Sequence, residues 1–129
     1  MELNYLAILA ATVVAFVLSS AWYSMLGNQL AQLNDAYADS GSFPAWKVLV
    51  ELLRSLVVAA VLAGLAHEIG IDRWVASVAL GLVIWIGFPV IILTGSVVHE
   101  NVPWRLAAIH AGDWLFKLVV IATIVGIWT

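Results

Sequence analysis

Five ionisable side chains interrupt otherwise apolar stretches of this chain: Glu51, Arg54, His110, Asp113 and Lys117. His110, Asp113, Trp114 and Lys117 follow the i, i+3, i+4, i+7 spacing of one helical stripe. Glu51, Arg54 and Ser55 form a second, shorter stripe. Carboxylates beside cations in a water-poor site suit acid–base work: Asp113 or Glu51 would transfer a proton, and Arg54 or Lys117 would hold a polar group of the substrate. His110 would orient a neighbour or titrate near neutral pH. Tyr23, Trp85, Trp114 and Thr94 complete the candidate binding set, with Ser19 spaced to share a helical face with Tyr23. The competing reading is a buried salt-bridge network that fixes helix register. The spacing allows Glu51–Arg54 and Asp113–Lys117 pairs within their helices, or Arg54–Asp113 and Glu51–Lys117 pairs between helices.

The elements that must position these groups follow from composition. Of 129 residues, 64% are hydrophobic and 10% charged, against about 45–50% and about 25% in an ordinary soluble domain. A helix crossing the hydrocarbon of a bilayer needs about 20 mostly apolar residues. Four such runs nearly exhaust the chain, at about residues 3–26, 45–66, 74–97 and 104–128. The expected fold is an all-α, four-transmembrane-helix, up-down-up-down bundle forming one membrane domain over residues 1–129, with a main polar loop at 27–44 and a tight turn at His67–Arg73. The first run lacks the basic start of a secretory signal and reads as a retained helix. Pro89 lies inside the third run, where its ring removes a backbone donor and bends or widens the helix. Ala7, Ala11 and Ala15, and Ser77 with Gly81, would allow close helix approach. Trp22, Trp46, Trp74, Trp104 and Trp128 read as a boundary belt.

An unpaired charge at the centre of a membrane helix costs about 2.5–3.5 kcal/mol, so the charged stripes must face inward and pair. With Ser19 and Tyr23 on the first helix and Thr94 on the third, every helix can contribute to one polar pocket in one half of the bilayer. Lys47 and Arg105 flank that half, which makes it the cytoplasmic side by the positive-inside rule and puts both termini outside.

Other chemistry is disfavoured. The formal charge of -3 contains no basic run, so no nucleic-acid partner is expected. The chain has no cysteine, which removes disulfides, thiol catalysis and thiolate metal sites. His67, His99 and His110 lack the close spacing of a metal site; His99, Glu100, His110 and Asp113 would have to converge to make one. No cofactor motif is present.

Asn4-Tyr5-Leu6-Ala7, Ala15-Phe16, Trp22-Tyr23-Ser24, Trp85-Ile86-Gly87-Phe88, Pro103-Trp104-Arg105 and Ile109-His110-Ala111-Gly112 together resemble a family of small bacterial membrane proteins, domain of unknown function 1761. The likeness spans essentially the whole chain and implies a four-helix protein of the bacterial cytoplasmic membrane, with no activity attached. The family pattern carries an Asn where His110 stands.

Three functions compete. The first is binding, or acid–base conversion such as isomerisation, cyclisation or hydration, of a lipophilic molecule admitted from the lipid. The second is a proton-coupled carrier working as a homo-oligomer. Small multidrug transporters share the length and four helices, but they carry an essential carboxylate in the first helix, and residues 3–26 contain none. The third is an accessory subunit whose charges contact another membrane protein.

Overall fold

The computed structural model describes residues 3–33 and 45–128. Among them are α1 (Tyr5–Met25), the short α2 (Gly27–Leu33), α3 (Ala45–Ile69), α4 (Trp74–Glu100) and α5 (Trp104–Ile127). Four of these, α1, α3, α4 and α5, are long and apolar enough to cross a membrane. The expected four long helices are therefore present. The polar loop needs revision: its first seven residues are helical as α2, which seats Leu30 in the interior. Its remainder, 34–44, lies outside the described residues.

The helix ends follow local chemistry. Asn4 starts α1 by accepting the Ala7 backbone N–H on its side-chain oxygen (3.1 Å), while its amide nitrogen donates to the Trp128 carbonyl (2.8 Å). That second bond places the start of α1 beside the end of α5. The second long helix runs to Ile69, one turn past its expected end. It stops at Gly70, whose φ of +83° is in the left-handed region and lets the Gly70 and Ile71 N–H groups return to the Ala66 carbonyl. Asn101, also left-handed at φ 57°, ends α4. These short turns make α3, α4 and α5 successively antiparallel. Pro89 does not break α4: the helix widens to a π turn over Ile86–Val90 and continues.

The packing reverses the soluble pattern. Interior positions are largely small: Ala7, Ala11, Ala15, Ala59, Ala63, Ser77 and Ala122 are buried, whereas Leu9, Val13, Val17, Val75, Val83 and Ile91 face outward. The α4–α5 contact is the tightest, because a Cβ added at Gly81 would stand 3.1 Å from the Leu118 carbonyl oxygen and one at Gly126 2.7 Å from the Trp74 Cα. Such backbone proximity brings many atoms of the two helices into van der Waals contact. α5 is the hub, packing on α1 and α4 and more lightly on α3, and α1 packs on α3. α3 and α4 barely touch, so the bundle is open along that seam.

Candidate functional site

Two separate polar regions stand where the sequence suggested one pocket. The first lies between antiparallel α1 and α5. Tyr23 Oη is 2.6 Å from His110 Nδ1. One turn deeper, Ser19 donates its hydroxyl to Asp113 Oδ1 at 2.5 Å. Asp113 Oδ2 lies 3.3 Å from Lys117 Nζ, and both residues are buried, at 4% and 3% exposure. The Lys117 ammonium also sits 5.0 Å from the centre of the Trp114 ring, where the ring face is negative. Of the four ion pairs the spacing allowed, this one formed within its helix.

Two indoles hold this segment of α5 from opposite sides. Trp22 on α1 donates to the Ile109 carbonyl (2.9 Å), and Trp85 on α4 donates to the Ala111 carbonyl (2.8 Å). The Trp22 ring covers Gly112, where any Cβ would fall 2.7 Å from the ring, and meets Phe116 edge-on at 5.0 Å. Trp22 therefore belongs to the packing of the polar layer as well as to the end of α1. Its role depends on Gly112, a distant residue whose pairing with it no local pattern reveals.

The second region is on α3. Arg54 Nη1 donates to Glu51 Oε1 at 2.6 Å, with the two side chains 53% and 33% exposed. The cross-helix pairs Arg54–Asp113 and Glu51–Lys117 did not form. The rotation of α3 leaves Arg54 beside Val50, Leu53 and Trp114, in a hollow between α3 and α5 and outside the Ser19–Asp113–Lys117 network. Thr94 is also outside any shared polar pocket: exposed on α4, it donates its hydroxyl to the Val90 carbonyl at 2.7 Å, beside the π turn.

The seam forms a shallow cleft, open along its side. Two adjoining volumes of about 380 Å³ each share Val57, Val58 and Trp114 as walls. The first lies between α3 and Trp114 of α5, extending past Leu53 to Val50 with Arg54 in its wall. The second runs between Val61 and Leu62 of α3 and Phe88, Pro89 and Ile92 of α4, with Leu118 in its wall. The widened turn at Pro89 thus shapes one wall. Of the residues the sequence singled out, Arg54 and Trp114 line this cleft. Asp113, His110, Lys117, Tyr23 and Trp85 lie in the layer behind it, and Lys117 touches the rear of the site through the Trp114 ring. Among the described residues no group of three or more His, Asp or Glu side chains is arranged to hold a metal ion.

An all-α bundle of four long apolar helices, with a dry ion pair in its interior and an apolar cleft open at its side, is the class the fold defines. Within it, the chain belongs to the family described as "Protein of unknown function (DUF1761)", whose pattern matches residues 6–126. Neither a curated protein nor a solved structure matches the chain.

Proposed function

We propose that this protein is a multi-pass protein of the bacterial cytoplasmic membrane that binds a lipophilic molecule, admitted sideways from the bilayer into the α3–α4 cleft. The observation that carries this reading is the cleft itself: about 380 Å³ in each of two adjoining volumes, apolar-walled, with Arg54 at one end. Ligand sites of this kind are mostly apolar with a few placed polar groups that orient the occupant. Outward Leu, Val and Ile side chains on all four long helices support a lipid surround. The end bearing Lys47 and Arg105 faces the cytoplasm in this reading, and the joined termini face outward.

Binding is favoured over acid–base conversion for a geometric reason. A proton-transfer group must reach the reacting atom within about 2.6–3.2 Å or through one water. Asp113 is engaged by Ser19 and Lys117 and lies behind Trp114, and His110 is engaged by Tyr23. Trp114 and Arg54 are the contact residues, and the Asp113–Lys117 pair sets the rotation of α5 that presents Trp114 to the cleft.

Native mass spectrometry of gently extracted protein tests this. Val61→Trp fills the cleft, and Val13→Trp places the same indole on the outward face of α1. Wild type and Val13→Trp should carry a retained lipophile, with occupancy at least tenfold lower in Val61→Trp. Equal occupancy in all three would refute cleft binding.

A further inference from the structure

From the charge pattern along the α3 wall, and resting on the reading of the cleft as a binding site, we infer that the occupant is an anionic phospholipid of the surrounding leaflet, its phosphate held by Arg54 and its chains in the cleft. Arg54 lies about nine residues inside α3, roughly 13 Å from the helix start at a rise of about 1.5 Å per residue. Its side chain is 53% exposed there. A guanidinium at that depth against hydrocarbon is costly, and it relieves the cost by reaching toward the headgroup level or by meeting an anion. Glu51 answers part of this need, taking Nη1. A guanidinium has five N–H donors, and its planar fork fits phosphate oxygens in pairs.

Charge along the helix favours an anion even with Glu51 present. Lys47, Val50, Arg54, Val57 and Val61 recur at three- and four-residue steps down one face of α3. Lys47 is exposed near the helix start, one turn outside Glu51, and Arg54 is one turn inside it. Two cations and one carboxylate leave this stripe with a net charge of +1. Below Arg54 the wall is apolar. A cationic stripe at the polar end followed by an apolar trough is the complement of an amphiphile with an anionic head. The choice of a phospholipid rests on two features: the cations stand at two depths along α3, which suits a headgroup phosphate near the surface, and the two adjoining volumes follow one another down the same helix, so acyl chain can run on from Arg54 past Trp114.

The test offers equimolar phosphatidylglycerol and phosphatidylcholine of identical chains to the purified full chain in detergent and reads bound lipid by native mass spectrometry. Wild type should prefer phosphatidylglycerol about tenfold: both phosphates are ionised, but the fixed choline cation cancels the headgroup charge and is repelled by Lys47 and Arg54, whereas the glycerol headgroup keeps its net negative charge. Arg54→Gln should bind both lipids alike, Arg54→Lys should keep part of the preference, and Val61→Trp should lose both lipids. Circular dichroism checks that each variant is folded. If wild type shows no preference, or Arg54→Gln retains it, while Val61→Trp still empties the cleft, the headgroup assignment fails and the binding site stands. If Val61→Trp binds both lipids like wild type, the cleft reading itself fails. Displacement of phosphatidylglycerol by added oleate in an Arg54-dependent manner would identify a fatty acid instead. A chain dimer lost on Arg54→Gln, with no lipid adduct, would identify a second copy. Either outcome overturns the phospholipid assignment.

Discussion

Two ion pairs among the described residues have nearly the same local spacing in opposite settings. Asp113–Lys117 is sealed between α1 and α5, with Ser19 and the Trp114 ring completing its surroundings. Glu51–Arg54 is open on α3 at the end of an apolar cleft. Burial makes the first a fixed element of the bundle, because neither charge can lose its partner without being stranded in a dry interior. Exposure leaves the second with unused donors, so it is the pair able to meet something from outside.

The sharpest way to break this contrast is to strand a charge in each pair. Lys117→Met should cost about 3–5 kcal/mol, since it leaves Asp113 buried without its cation. Combining it with Asp113→Asn should restore much of that loss, as read by reversible unfolding in mixed micelles. A double variant no more stable than Lys117→Met would contradict a coupled pair. Next in size is Gly112→Val, which drives a side chain into the Trp22 ring and should cost about 1–3 kcal/mol. The same unfolding assay shows whether Trp22→Ala relieves it. Removing only the indole donor, Trp22→Phe, should cost about 0.5–1.5 kcal/mol for one hydrogen bond. Smallest is Arg54→Gln, which should change stability by no more than about 1 kcal/mol because its pair is exposed. A loss from Arg54→Gln matching that from Lys117→Met would erase the distinction between the two regions.

The long helices were legible because a run of about 20 apolar residues has few other solutions, and Gly70 punctuates α3 where a left-handed residue is needed. α2 was not legible: Gly27-Asn28-Gln29 reads as loop, and only tertiary burial of Leu30 makes the helix worthwhile. The candidate ion pairs could be read from spacing, but their choice of partner could not, since it depends on how α3 and α5 are rotated about their own axes. The same limit hid the cleft. Which consecutive helices pack only lightly is a property of the assembled bundle, and α3 and α4, neighbours along the chain, barely touch. Trp22 shows a third kind of limit, for its position at the end of an apolar run fits a boundary residue, while its carbonyl partner and its glycine seat lie far away on α5.

The most direct test of the central claim is photolabelling in the host membrane with a phospholipid whose acyl chain bears a diazirine, the labelled positions then being mapped by peptide mass spectrometry. Labels concentrated on Val57, Val61, Phe88, Ile92 and Trp114 are expected, and they should be lost when Val61→Trp fills the cleft. Labels spread evenly over the outward faces, with Val13, Val17 and Val83 marked as often as the cleft residues, would contradict a lipid-binding site between α3 and α4.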